Sequence, residues 1–329
     1  MKNPDICISL FSGLGGLDIG MELAGFQVPV TQELDPAAIK SLRSNGRYVV
    51  EGDICKLVQE DPECRFLLDK LPGREIFAVF GGPPCQPFSC HGKGLGFEDE
   101  RAKTYFAFVA VVKAVHPRFF IMETVSGFMS TPGALEAVIE PFQDSYKTVH
   151  GVVNAADYGA PQIRKRLIII GSRDGENIII PTPTFVGKHR TFGDAVYRLK
   201  DDGRGAKLPV LTQNLIHHVP EGGNWKTLPP YLQKKALGNC SGGGLTGICR
   251  RLSWYKPAPT VVCCPIQHTT LFAHPEEDRP LTVREYARIQ GFPDSYKIEG
   301  SITDQYKQIG NAVPIALGEA IGNMLVGIK

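Results

Sequence analysis

The chain has 329 residues with 36 basic and 34 acidic side chains, a formal charge of +2, and is 43% hydrophobic and 21% charged, which excludes wholesale disorder and collagen-like repetition. Its longest strongly apolar runs (77–80, 106–112, 167–170) fall far short of the ~20 residues that a membrane span needs, and the opening MKNPDICISLF shows no long apolar signal region. Nine scattered cysteines with no C-x-x-C pair signal neither a zinc site nor a disulfide framework, so a reducing, cytoplasmic setting is expected.

Residues 6–11 read as a buried strand, 12–16 as a tight turn and 17–24 as a helix stopped by Gly25. A second strand over 28–32 leads to a helix at 36–44, with Pro36 in the first turn, where its missing N–H costs nothing. Strands follow at 48–50 and 76–80, the latter ending in Gly81-Gly82-Pro83-Pro84. A helix is expected over 103–115, a fifth strand over 119–122, a helix over 134–143, and two last strands at 147–153 and 167–171. This alternation predicts an α/β protein with a doubly wound, mostly parallel sheet covered by helices on both faces. Past residue 180, prolines and the Gly242-Gly243-Gly244 run punctuate the chain. Residues 184–281 therefore read as a second, smaller, irregular unit of short strands and loops. Helical patterns return at 284–290 and 315–324. The expected division is 1–183 with 304–329 as one domain, and 184–303 as the other.

Four strings carry chemistry. Phe11-Ser12-Gly13-Leu14-Gly15-Gly16 forms the first strand-to-helix turn, where glycines let backbone N–H groups approach a ligand. It departs from G-x-G-x-x-G, since Asp18 stands at the third glycine. Glu33, at the end of the second strand, stands where such folds place a ribose-binding carboxylate. Asp53 follows the third strand and could bind an adenine amino group. A nucleoside-containing cofactor and a plain structural turn both remain open on these residues.

Next comes Gly81-Gly82-Pro83-Pro84-Cys85-Gln86-Pro87-Phe88-Ser89, directly beyond the fourth strand. Ligands bind at the carboxyl ends of such strands, so Cys85 stands over the cleft, its direction fixed by prolines. A thiol there can act as a nucleophile if local donors or a cation lower its pKa. Glu123, at the end of the fifth strand, is a candidate for donating or exchanging a proton. In Gln162-Ile163-Arg164-Lys165-Arg166, alternate residues share a face, and the two guanidiniums and the amide suit a phosphate or a base carbonyl.

In this order, the strings resemble the DNA (cytosine-5) methyltransferases, in particular the bacterial restriction–modification type. The likeness spans nearly the whole chain and is completed by RPLTVREYARIQGFP (279–293), QIGNAVP (308–314) and the segment around Arg251-Leu252-Ser253-Trp254. It implies S-adenosylmethionine as cofactor. Phe11, Gly13, Leu14, Gly15 and Pro84 would line it, Glu33 would hold the ribose and Asp53 with Ile54 the adenine. Asn311 would reach the methionine end. Cys85 would attack carbon 6 of a cytosine swung out of double-stranded DNA. Glu123 would bond the ring nitrogen and exocyclic amine, Arg166 the ring carbonyl, and Arg164 would support the same pocket. Gln86 or Ser89 would contact nearby backbone, and residues 89–103 would form a loop that closes over base and cofactor. Residues 184–303 would be the target-recognition domain, with basic pairs such as Lys234/Lys235 meeting phosphates. A monomer is expected, with a restriction endonuclease sharing its site as a possible companion.

One departure stands out. The family's usual Glu-Asn-Val reads Glu123-Thr124-Val125 here, so Cys85 is expected to be less firmly oriented, with activity surviving. The rival readings are a tRNA cytosine-5 methyltransferase, a catalytically weak DNA-binding relative, and an NAD-dependent oxidoreductase, the last disfavoured by Asp18.

Overall fold

The computed structural model describes residues 5–84, 102–200, 203–238, 240 and 246–328. In chain order the first half contains β1 (Ile6–Leu10), α1 (Gly16–Leu23), β2 (Gln27–Glu33), α2 (Pro36–Ser44), β3 (Val49–Glu51), α3 (Ile54–Glu60), α4 (Arg65–Leu68), β4 (Ile76–Gly81), α5 (Lys103–Val115) and β5 (Phe119–Val125). Then come α6 (Ala134–Ile139), β6 (Lys147–Asn154), β7 (Gln162–Ile163) and β8 (Lys165–Ser172). The remainder carries α7 (Phe192–Val196), α8 (Val210–Ile216), α9 (Pro230–Leu237), β9 (Arg250–Arg251), β10 (Ala258–Pro259), β11 (Phe272–Ala273), α10 (Val283–Ile289), α11 (Ile302–Asn311) and α12 (Ile315–Val326).

Seven strands form one sheet in the order β3-β2-β1-β4-β5-β8-β6. All neighbours from β3 to β5 are parallel, whereas β8 runs antiparallel to both β5 and β6. The mostly parallel α/β class is as expected. Period-2 alternation divides the core between the two faces of this sheet. Ile8 and Leu10, Val79, Phe120 and Met122, and Leu167 and Ile169 face one layer, with Tyr105, Phe108 and Phe142 above them. Cys7, Phe80, Phe119 and Ile121, and Ile168 and Ile170 face the other, against Leu17 and Met21 of α1 and Leu317 and Ile321 of α12.

At Gly20 and Gly318 the helices α1 and α12 meet backbone to backbone. A Cβ on Gly20 would lie 2.6 Å from the Glu319 nitrogen and 2.7 Å from the Gly318 carbonyl carbon. The apolar stretch 302–326, long enough by composition to cross a membrane, is mostly buried here and so supplies this core.

Several elements differ from the sequence reading. The fifth strand continues past Met122 to Val125, because β8 pairs with it as far as Val125↔Arg166. The helices α3 and α4 were not expected. Between 184 and 281 the chain forms α7, α8 and α9 beside its two-residue strands, more helix than its sparse periodicity suggested. A separate apolar nucleus holds part of this region together, including Leu215, Ile216, Leu228, Ile248, Leu271 and Ala273. Buried Arg251 braces it by donating to the carbonyls of Ile216, Val219 and His274. The following α10 begins at a Thr282–Glu285 capping box. Its Tyr286 and Ile289 share a cluster with Leu14 of the first turn and Ile315 of α12.

Candidate active site at the strand tips

The carboxyl ends of the parallel strands present two polar groupings. On the β1–β3 side, Gly13 and Gly15 take φ of +54° and +81°, backbone that favours glycine, and Phe11 adopts +52°. The turn is fastened to β2. Phe11 N donates to Gln32 Oε1 at 3.2 Å, while Gln32 Nε2 donates to the Gly52 carbonyl at 2.7 Å, so one amide ties the tips of three strands. Glu33 Oε2 accepts from Gly13 N at 2.6 Å, and Oε1 accepts from the N–H groups of Leu34 and Asp35 at 2.7 and 2.8 Å. Burial nevertheless pushes the Glu33 carboxyl above its usual range, with those N–H groups pulling the other way. Asp53 caps α3, accepting from Cys55 N at 2.9 Å, and Ile54 beside it is buried. Apart from its chain neighbours, no described residue lies within 4 Å of where a Gly13 Cβ would stand, so the turn faces open space at this position.

The second grouping lies at β4, β5 and β8. Glu123 and Arg166 are diagonal neighbours on one face of the β5–β8 ladder, where Val125 is opposite Arg166, and Arg166 Nε meets Glu123 Oε1 at 2.8 Å. Both side chains are largely buried, at 13% and 10% exposure for Arg166 and Glu123 respectively, so the pair is screened far less than a surface ion pair. A Cβ on Gly82 would lie 2.9 Å from Glu123 Oε2. The absence of a side chain there thus lets the segment leading to Pro83 and Pro84 pass directly beside the carboxylate. Cys85, Gln86, Ser89 and the closing loop expected over 89–103, apart from its last two positions, lie outside the described residues.

Arg164 does not join this pair. It is 3% exposed, and its Nη1 and Nη2 donate to the carbonyls of Val261 and Gly310 at 3.0 and 2.9 Å. A buried guanidinium needs partners for its donors, and here two distant segments supply carbonyls. Alternation along 162–166 does hold: Gln162 and Arg164 are buried while Ile163 and Lys165 are exposed. Gln162 bonds the side chain of Gln290 at 2.6 Å, and β7 pairs with β10. Asn311 ends α11 and accepts from the Cys263 thiol at 2.9 Å. Two residues on, the Val313 carbonyl lies 2.1 Å from where a Gly16 Cβ would be, which brings this segment against the start of α1. The Thr124 hydroxyl is 2.7 Å from the Tyr105 hydroxyl, both buried.

Sequence reasoning missed Gln32, Tyr105, Ser9 and the buried pairing of Asp18. The usable signal was polarity out of place: Ser9 in the apolar run of β1, and Asp18 beside Leu17 and Met21 on the inward face of α1. The described residues line two cavities elsewhere, one of 610 Å³ along α12 and residues 177–185 and one of 450 Å³ around 294–299, and neither includes Glu33 or Glu123.

A curled, mostly parallel seven-stranded sheet with ligand-facing groups at its strand tips defines a methyltransferase-type α/β fold. A solved DNA modification methyltransferase encoded within an E. coli prophage superposes with a TM-score of 0.72 at 27% identity, covering 98% of this chain and 99% of that one. The family model for C-5 cytosine-specific DNA methylases matches residues 6–327, and the chain belongs to that family. Among its relatives, Type II methyltransferase M.Eco47II of Escherichia coli is 39% identical over 99% of this chain and 79% of its own. Type II methyltransferase M.PspPI of Psychrobacter sp. (strain TA137) is 40% identical over 97% and 78%. The protein is accordingly a DNA cytosine-5 methyltransferase. With a DNA-methylase family and DNA-modifying relatives, tRNA is the weaker substrate reading.

Proposed function

We propose that the protein methylates carbon 5 of a cytosine turned out of double-stranded DNA, at one short sequence, with S-adenosylmethionine as donor and Cys85 as nucleophile. The observation that carries this reading is the Glu123–Arg166 pair beside Gly82, one strand from the glycine turn and on the direct path to Cys85. The residues at the β1–β3 tips fit the cofactor: a glycine turn open at Gly13, a carboxylate at the tip of β2, and Asp53 with buried Ile54 at the tip of β3. Phe11, Gly13, Leu14 and Gly15 would line it, with Pro84 and Asn311 closing from the β4 and α11 sides. When bound, the cofactor supplies an electrophilic methyl group on a sulfonium.

Cys85 adds to carbon 6 of the ring, which makes carbon 5 electron-rich. Glu123 holds the proton on ring nitrogen 3 and accepts from the 4-amino group, so the charge pushed into the ring is neutralised as it forms. Arg166 binds the 2-carbonyl and keeps Glu123 in place. Preorganised charge of this kind contributes on the order of a few kcal/mol per donor. After methyl transfer, loss of the carbon 5 proton expels the thiolate. Arg164 acts one layer away, as a strut that fixes β7–β8 against residues 261 and 310.

The division of labour assigns cofactor and chemistry to 1–183 with 304–329, and reading of the DNA to 184–303, whose own nucleus surrounds Leu215 and Leu271. Basic and aromatic side chains at the surface support phosphate contact there: exposed Lys226 lies over the half-buried Trp225 ring, Arg198 over exposed Tyr197, and Tyr255 is 81% exposed. Binding should then weaken steeply with added salt. The enzyme would act as a monomer in the cytoplasm, with a restriction endonuclease cutting the same unmethylated site. Bisulfite sequencing of a plasmid from cells expressing the full chain tests the whole reading. One fully protected cytosine context is expected, absent with Cys85→Ser; unprotected plasmid in both would overturn it.

A further inference from the structure

A buried chain of hydroxyls lies beneath the glycine turn. Ser9 on β1 donates to Asp18 Oδ1 at 2.7 Å, and Ser12 Oγ stands 2.7 Å from Ser9 Oγ. A hydroxyl has one proton, and that of Ser9 is committed to Asp18, so Ser12 must donate to Ser9. With its proton so used, the half-buried Ser12 hydroxyl is left with acceptor capacity only. Asp18 is fully buried on α1, and its Oδ2 has no hydrogen-bond partner among the described residues. Arg47, beyond α2, stands 3.9 Å from that oxygen and forks onto Glu22 at 2.9 and 2.7 Å. Tyr296, from the segment after α10, donates to the Leu14 carbonyl at 2.8 Å and completes the charged and titratable surroundings.

The sheet order places a ligand's parts. With the ribose at Glu33 on β2 and the adenine at Asp53 after β3, the amino-acid end falls over the tip of β1, towards β4. We propose that Asp18 is a positioning residue for that end: ionised, it fixes Ser12 through Ser9 as an acceptor facing the cationic amine, and protonated, it releases that polarity. This rests on the cofactor reading above. A neutral carboxyl no longer demands the Ser9 proton, which is free to turn towards Ser12 and leave Ser12 a donor facing a cation. Burial pushes the Asp18 carboxyl up to about 6, against the pull of Arg47 and Ser9, so the change falls in ordinary buffers.

Calorimetric titration of the full chain with S-adenosylhomocysteine and with 5′-methylthioadenosine, at pH 7.5 and 5.0, tests this. The second ligand keeps the nucleoside and lacks the amino-acid end, so it reports the acid sensitivity of the nucleoside end by itself. In the unaltered protein, S-adenosylhomocysteine should lose about tenfold more affinity on acidification than methylthioadenosine does. Ser9→Ala cuts the chain and should abolish that excess while leaving methylthioadenosine binding unmoved. Asp18→Asn, whose amide oxygen still accepts from Ser9, should bind S-adenosylhomocysteine within about threefold of the parent at pH 7.5 and show no excess. Equal acid sensitivity of the two ligands in the unaltered protein, or an excess that survives both substitutions, overturns the proposal. Binding of neither ligand overturns the cofactor reading and this one with it.

Discussion

At the tips of β1, β2 and β3 the groups facing the cleft are held by main chain. Glu33 accepts three N–H groups, and Gln32 spans from Phe11 N to the Gly52 carbonyl. At the tips of β5 and β8, a glutamate and an arginine hold each other across a ladder. Main-chain anchoring survives changes in neighbouring side chains, because its donors come with the loop. An ion pair depends on two side chains, and removing one leaves the other desolvated and uncompensated. The rigid end therefore suits a ligand common to many reactions, and the paired end suits a ring whose charge changes during one.

Substitutions can break this contrast. Cys85→Ser should cut single-turnover methyl transfer by more than about a thousandfold while cofactor affinity stays put. Glu123→Gln should follow with a loss of about a hundredfold or more in kcat, again without weakening cofactor binding, because nothing at the β1–β3 tips touches it. A parallel loss of cofactor affinity would show that the two halves are not independent. Glu33→Gln should do the reverse, weakening S-adenosylhomocysteine by about tenfold with little change in saturated rate.

Away from both tips, Arg164→Met leaves two buried carbonyls unmatched and should lower stability by about 2–4 kcal/mol, read by urea unfolding. The smallest effect belongs to Thr124. Its hydroxyl is bonded to Tyr105, and Thr124→Val should cost about 1–2 kcal/mol with the rate nearly kept. Acidification offers one more handle on the rigid end. Folded protein holds the Asp18 proton more tightly than the unfolded chain, so this group's share of stability falls as pH rises from about 4 to about 6 and is level above that. Asp18→Asn should flatten that slope in the melting temperature of ligand-free protein.

The sheet and its tips were legible because a buried parallel strand writes a short, nearly continuous apolar run, and 6–11, 76–80 and 119–122 are such runs. Glu33 and Glu123 stood out as carboxylates ending them. For Arg164 the alternation was legible but its partners were not: they are carbonyls of two segments far along the chain, which period-2 reasoning cannot see. The helices α7 to α9 were hidden for a related reason. Each is short; the apolar residues of α8 and α9 serve a small nucleus rather than a broad face, and those of α7 join the cluster of Leu14 and Tyr286.

The contact between α1 and α12 has a bearing on folding. The two helices lie glycine to glycine at Gly20 and Gly318, so one side of the sheet is closed by segments about 300 residues apart in the chain. Bringing such remote segments together carries a large loop-closure entropy, so that face of the sheet is completed late in folding and not piece by piece.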